Sequence, residues 1–238
     1  MSDIIASIAT PKGEGGISII RSSGMGSLSV ALKIFHTPSG NPVEKISPNI
    51  AHFGSIYDPS TRNCIDEVVL TWFKNPKSYT GEDVVEISAH GGTFVSSRIL
   101  GLVLDYGARL AEPGEFTRRA FMNGRIDLSQ AEAVADLISA ASDKALQAAI
   151  LQLKGRLSKK ITELYDRLLF VLSQVEAAID FPEEGLDFQK RDSSISELKQ
   201  VREEVSNLIN TYKQGKISRD GASVALAGKP NVGKSSLL

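Results

Sequence analysis

The sequence predicts a mixed α/β (α+β) segment, then an all-α helical bundle, then the first strand and phosphate loop of a nucleotide-binding domain. Three observations carry this. Short β-rich runs punctuated by glycine and proline fill residues 1 to about 117. Long amphipathic helical stripes occupy the chain from Asp127 to about residue 215. Finally, Gly228-Lys229-Pro230-Asn231-Val232-Gly233-Lys234-Ser235 is a complete Walker A motif. The expected divisions are 1–118, 119–215 and 216–238.

The β-rich runs are 4–9, 17–20, 67–73 and 83–89. Turn-forming clusters separate them, among them Thr10-Pro11-Lys12-Gly13, Lys74-Asn75-Pro76-Lys77 and His90-Gly91-Gly92. A helix is expected over about 94–106, with Val95, Ile99, Leu102 and Val103 on one face. No period of 20–50 residues repeats, which excludes solenoids and propellers.

From Asp127 onward the period is helical. Ser129-Gln130-Ala131-Glu132 has the spacing of a capping box, in which hydroxyl and carboxylate satisfy each other's orphan backbone donors. Val134, Leu137, Ile138 and Ala141 follow at helical intervals, and Gly155 is expected to break the run. A second stripe holds Leu157, Ile161, Leu164, Leu168, Leu172, Val175 and Ile179 and stops before Pro182. A third is expected to begin at Ser194-Ile195-Ser196-Glu197 and to present Leu198, Val201, Val205, Leu208 and Tyr212. Such stripes must pack on one another or on further chain. The polar stretch 214–221 reads as a linker, and the apolar run 223–227 as a strand feeding the phosphate loop.

Composition narrows the class. Of 238 residues 42% are hydrophobic and 23% charged, the balance of a globular protein with a core. A net charge of −1 argues against a whole-surface electrostatic grip on nucleic acid. The single cysteine, Cys64, precludes an intrachain disulfide and is expected to be a small, partly buried residue. The start carries no signal-peptide pattern and no run approaches the length of a membrane span, so a cytoplasmic location with no membrane contact is expected.

In the phosphate loop the glycines let successive N–H groups turn toward phosphate oxygens, and the following helix adds its positive end. Lys234 is expected to reach the β- and γ-phosphates, and the Ser235 hydroxyl to ligate Mg²⁺. A working NTPase also needs a Walker B aspartate and switch segments C-terminal to this loop. These lie outside the 238 residues, so this chain is expected neither to hold nucleotide tightly nor to hydrolyse it.

Longer motifs extend along nearly the whole chain. They include Ile8-Ala9-Thr10-Pro11, Gly15-Gly16-Ile17-Ser18-Ile19-Ile20-Arg21 and Ser78-Tyr79-Thr80-Gly81-Glu82-Asp83-Val84-Val85-Glu86. Then come His90-Gly91-Gly92, Pro113-Gly114-Glu115-Phe116-Thr117-Arg118-Arg119-Ala120-Phe121 and Asn123-Gly124-Arg125-Ile126-Asp127-Leu128. Gln130-Ala131-Glu132-Ala133-Val134 and Asp180-Phe181-Pro182-Glu183-Glu184 complete the set. In these the chain resembles the N-terminal half of the MnmE (TrmE) family of tRNA-modification GTPases. Two positions depart from the family's glycine turn: Lys12 and Glu14 stand where a proline and an arginine are usual.

The resemblance implies an N-terminal folate-binding domain that dimerises, a helical domain, and a Ras-like G domain inserted into the latter. It implies GTP hydrolysis with Mg²⁺ and K⁺, and a 5-formyltetrahydrofolate-type cofactor. It also implies a homodimer joined to the flavoprotein MnmG (GidA) in a heterotetramer that adds a carboxymethylaminomethyl-type group to the wobble uridine of certain tRNAs. Carried residue by residue, the GTP contacts fall on Asn231, Val232, Gly233, Lys234, Ser235 and Ser236, with Asn231 toward K⁺. The folate contacts fall on Arg21, Glu86 and Arg125; no catalytic residue is expected within these 238 residues.

Each folate candidate has a physical reading. Glu86 sits mid-strand beside Val84 and Ser88, where a carboxylate must be paired. Its partner is either adjacent N–H donors of a pterin edge or a neighbouring arginine. Arg21 is expected at the carboxyl end of a strand, as a ligand cation or a solvated one. Arg125 precedes the capped helix and supplies a cation for a folate carboxylate or formyl oxygen. His90 reads as a turn residue, and Arg118 and Arg119 as a solvated helix face or a contact to tRNA backbone. Two other readings stay open here: a helical scaffold that recruits a partner, and a free-standing folate one-carbon transferase.

Overall fold

The computed structural model describes residues 3–11, 13–180 and 188–220, together with 225, 227–229 and 233; for 188–190 and 212–220 it describes backbone alone. The chain divides into two compact units, Met1–Ala131 and Glu132–Leu238.

In the first unit a seven-stranded sheet has the order β3-β4-β5-β6-β2-β1-β7. The strands are β1 (Ile4–Ile8), β2 (Ile17–Ser23), β3 (Phe35–His36), β4 (Ala51–Tyr57), β5 (Cys64–Phe73), β6 (Val84–His90) and β7 (Ala108–Leu110). Every pairing is antiparallel except that of β1 with β7. The period-2 alternation decides the faces. Ile20, Val85, Ile87, Val68 and Leu70 point to one side and join Ile99, Leu102 and Val103 of helix α2 (Thr93–Asp105) in the core. Helix α1 (Ser27–Leu32) adds Val30 and Ala31 to the same cluster. Ile20, Ile87 and Ile99 are at most 2% exposed, so each stabilises the fold by roughly 1.5–3 kcal/mol.

The alternate residues form two cross-strand rows on the other face. Phe53, Val69, Ser88 and Ile19 make one; Ala51, Thr71, Glu86, Arg21 and Ser7 make the next. This side is partly open: Phe53 is 57% and Ile17 67% exposed. Helix α3 (Glu115–Met122) follows β7.

The second unit is helical: the greater part of α4 (Leu128–Ser139), then α5 (Asp143–Leu153), α6 (Arg156–Asp180) and α7 (Phe188–Asp220). Helices α6 and α7 run antiparallel. Lys160 and Arg167 meet Glu204 at 2.5 and 2.6 Å, Arg167 also bonds Glu197, and Ser194 donates to Gln174 at 2.9 Å. Leu164, Val171 and Val201 are buried between the helices, while Ile161, Leu168, Leu172, Val175 and Ile179 stay 41–71% exposed.

Several expectations change. Strand β2 runs on to Ser23 because Ser22 and Ser23 are buried and pair with β1 and β6. Strands β3, β4 and β7 and helices α1 and α3 carry too little periodic sequence to be read in advance. The cap of α4 lies two residues earlier than expected: Gln130 N donates to Asp127 Oδ1 at 2.8 Å, and Asp127 N to Gln130 Oε1 at 2.9 Å. The following run breaks first at Ser142, which caps α5 by accepting from Ala145 N, and only then at Gly155. Helix α7 starts six residues before Ser194, so that serine caps nothing and reaches Gln174 instead. It also continues through Gly215 to Asp220, replacing the expected linker. One interior glycine costs about 1 kcal/mol, which neighbouring lysines and glutamine, good helix formers, offset.

Asn231, Val232, Lys234, Ser235 and Ser236 of the phosphate loop lie outside the described residues, as does most of the expected strand at 223–227. Gly228, Lys229 and Gly233 are described and exposed. Among the described residues no helix is long and apolar enough to cross a membrane.

Candidate ligand site

Glu86 and Arg21 are direct cross-strand partners on β6 and β2. Arg21 donates from Nε to Glu86 Oε1 at 2.8 Å, and its Nη2 lies 2.7 Å from the same oxygen. The neighbouring arginine that Glu86 needs is thus Arg21. Both contacts converge on Oε1 and leave Oε2 without a protein partner among the described residues. The pair is 23–29% exposed, so it lies on the partly open face of the sheet rather than in the core. Arg21 lies inside its strand, not at the carboxyl end, because the sheet continues for two residues beyond it.

Two rings wall the guanidinium. Arg21 Cζ sits 5.7 Å from the centroid of Tyr79 and 5.8 Å from that of Phe116, within cation–π range. Tyr79 belongs to the β5–β6 loop and Phe116 to α3, and the Tyr79 hydroxyl and Thr117 Oγ1 lie 2.8 Å apart. The rings therefore come from chain segments brought together only by the fold.

Arg125 approaches the same loop. Its Nε donates to Ser78 O at 3.1 Å, and its backbone N–H bonds Ala120 O at the end of α3. Gly81 permits this: its φ is +77°, and a Cβ there would lie 3.1 Å from Arg125 Cγ. The side chain is exposed, and its two terminal nitrogens carry no protein partner among the described residues. One loop, 78–82, thus touches both Arg21 and Arg125.

Behind the loop is a buried ion network. Arg119 and Glu115 have no exposed side-chain surface and meet at 3.2 Å. Arg119 also reaches Glu82 at 3.1 Å and Asp3 at 2.9 Å. Arg109 bonds both oxygens of Glu115, at 2.6 and 2.9 Å. These bonds, Arg109 foremost, hold the Glu115 carboxyl down at about 2. Arg119 is therefore no solvated helix-face cation and presents nothing to a nucleic acid; burial against three carboxylates explains why. Arg118 is 53% exposed and lies 3.2 Å from Glu112.

His90 ends β6 rather than sitting in the turn, because its N–H and Nδ1 meet the two oxygens of Asp66 at 2.8 and 2.7 Å. The turn proper is Gly91-Gly92, and a Cβ on Gly91 would come within 2.1 Å of Gly15 O. Cys64 is exposed, not partly buried, at the first residue of β5. No group of three His, Cys, Asp or Glu side chains suited to a metal occurs among the described residues.

Sequence reasoning singled out Arg21, Glu86 and Arg125 as candidates but not Ser78, Tyr79, Glu82 or Phe116, which the fold sets around them. Their only signal was membership of two long motifs, 78–86 and 113–121.

Fold and site together define a two-part protein: a mixed-sheet domain carrying a partly exposed, ring-flanked arginine–carboxylate pair, and a helical unit leading to a phosphate-loop sequence. Residues 4–125 match the family model described as GTP-binding protein TrmE N-terminus, and residues 128–231 match MnmE helical domain. The chain is 49% identical over 237 residues to the tRNA modification GTPase MnmE of Levilactobacillus brevis, covering 99% of this chain and 50% of that protein. The Clostridioides difficile protein of the same name is 49% identical over 238 residues, covering 100% and 51%. That of Carboxydothermus hydrogenoformans is 45% identical over 238 residues, covering 100% and 52%. The chain belongs to the MnmE (TrmE) family, and it spans about half the length of the curated relatives it matches.

Proposed function

We propose that the first unit binds a 5-formyltetrahydrofolate-type cofactor through Arg21, Glu86 and Arg125, in a protein that modifies tRNA at the cost of GTP. The observation that carries this is the Arg21–Glu86 pair, whose geometry leaves Glu86 Oε2 open beside a guanidinium flanked by two aromatic rings. A carboxylate oxygen there suits the adjacent N–H donors of a pterin. The rings supply apolar flanks for a flat heterocycle. The exposed terminal nitrogens of Arg125 suit an anionic tail or a formyl oxygen. When bound, the folate supplies a carbon at the formyl level of oxidation. The protein's own residues bind it, orient it and screen it from water.

The relatives are named tRNA modification GTPases, and those names support a role in tRNA modification by a GTPase. On this reading Asn231, Val232, Gly233, Lys234, Ser235 and Ser236 begin the GTP site, with Ser235 on Mg²⁺ and Asn231 toward K⁺. The full-length protein works in the cytoplasm as a homodimer with the flavoprotein MnmG on the wobble uridine of tRNA. The apolar row on the open sheet face, with Phe53 and Ile19, supports pairing of two N-terminal domains. The expected domain divisions, at 118 and 215, belong to the same reading.

Calorimetric titration with 5-formyltetrahydrofolate tests it. Saturable binding by the wild-type protein is expected, weakened at least about tenfold, or roughly 1.4 kcal/mol, in Glu86→Gln. A folded protein that shows no binding overturns the folate reading and favours a scaffold whose helices recruit a partner.

A further inference from the structure

Among the described residues Arg119 is the largest side chain with no exposed surface. A guanidinium is costly to bury unless its donors are satisfied, and among the described residues one of its nitrogens, Nε, has no partner. The remaining two nitrogens span three separate parts of the chain. Nη1 donates to Glu82 and to Asp3 O, and Nη2 to Asp3 Oδ1 and Glu115 Oε1. Glu82 closes the loop that holds Ser78, Tyr79 and Gly81. It is tied in turn to β2, because Ser23 Oγ donates to Glu82 Oε2 at 2.8 Å and lies 2.7 Å from Thr80 Oγ1. Ser23 is two residues beyond Arg21 on the same strand face. Phe116 sits three residues before Arg119, on the same helix.

The two rings that flank Arg21 are thus mounted on the loop and on α3, and Arg119 bonds both supports: Glu82 of the loop and Glu115 of the helix. Arg125 depends on the same loop through Ser78 O. We propose that Arg119 is a positioning residue for the ligand site. It pins loop 78–82 to α3 so that Tyr79 and Phe116 hold the Arg21 guanidinium on Glu86 Oε1 and keep Oε2 free. The proposal rests on the reading of Arg21, Glu86 and Arg125 as the folate site, and it commits that site to depend on a buried group that touches no ligand. Lysine at this position keeps the charge but lacks the planar fork that serves three carboxylates at once.

Two measurements separate this role from a merely structural one. The Arg21 Nε–H resonance, assigned by its loss in Arg21→Lys, reports the ring-stacked, Glu86-bonded geometry without any ligand. In Arg119→Lys and in Glu82→Gln it is expected to move to the position of exposed arginines while the backbone spectrum stays folded. Should Arg119→Lys not fold, Glu82→Gln alone decides, since it keeps the Arg119–Glu115 pair. In calorimetry with 5-formyltetrahydrofolate, Glu82→Gln is expected to bind at least about tenfold more weakly than wild type. It is expected to cost nothing further in a Tyr79→Ala/Phe116→Ala background, where the rings are already gone. An unmoved Arg21 signal in Glu82→Gln, or a loss of equal size in the ring-less background, overturns the proposal. Wild-type protein that binds no folate sinks the ligand reading alone, because the Arg21 resonance still decides whether Arg119 positions the pair.

Discussion

Glu115 is a carboxylate with no exposed surface, gripped by Arg109 on both oxygens and by Arg119 on one. Its folded pKa is about 2 against an ordinary value of 4.5. A depressed carboxylate contributes stability that is fully present above about pH 4.5 and is lost as the pH falls through about 2. Glu115→Gln removes the charge but keeps the shape; it takes one of three carboxylates from the buried Arg119 and leaves the half-exposed Arg109 with Asp3 alone. The expected loss is about 3 kcal/mol at neutral pH, read by urea unfolding. The variant is also expected to lose the wild type's fall in stability between about pH 4.5 and 2, so the two curves converge at acid pH. Equal stabilities at neutral pH would show that the network contributes nothing. At this scale Glu86 was legible in sequence, because a mid-strand carboxylate demands a partner. Arg119 was not: its burial comes from Asp3, 116 residues away, and Glu82, 37 residues away, and no local pattern records either.

Elements were legible where one face carries a long period and illegible where tertiary contact makes them. Strands β5 and β6 and helix α2 follow their alternation and their 3.6-residue stripe. Strand β7 has three residues and exists only because it lies parallel to β1. The motif His90-Gly91-Gly92 shows how a turn signal can be right for a reason the sequence hides. Gly91 has an ordinary need for a missing side chain: a Cβ would lie 2.1 Å from Gly15 O and 2.8 Å from Ile17 N. Its N–H donates to Gly16 O, which docks the glycine turn on the end of β6. Gly91→Ala is therefore expected to destabilise the first unit by about 2–3 kcal/mol, through overpacking against backbone that cannot yield. Gly92 has nothing within 4 Å of its Cβ position and an extended backbone, so Gly92→Ala is expected to stay within about 0.5 kcal/mol of wild type. Thermal unfolding of the pair measures both, and equal effects would disprove the close-approach argument.

For the whole molecule, the proposed pairing of two copies through the open sheet face sets a second copy beside the proposed ligand site. Phe53, Val69, Ser88 and Ile19 form one cross-strand row, and Glu86 and Arg21 stand in the next. Neighbouring rows on one face lie about 7 Å apart along the strand, so a second copy that covers the apolar row also walls that site. Burying an exposed phenylalanine is worth roughly 1.5–3 kcal/mol per copy. A charge there would have to be desolvated instead. Phe53→Asp is accordingly expected to shift the protein toward monomer by at least about tenfold in dimer dissociation constant, measured by sedimentation. Its fold is expected to survive, because Phe53 is 57% exposed and outside the core. If the partner copy completes the site, the same substitution also weakens 5-formyltetrahydrofolate binding, and the wild type's affinity falls on dilution below its own dissociation constant. A monomeric Phe53→Asp that binds folate as tightly as wild type would separate the two functions and confine the site to the Arg21, Glu86 and Arg125 of one chain.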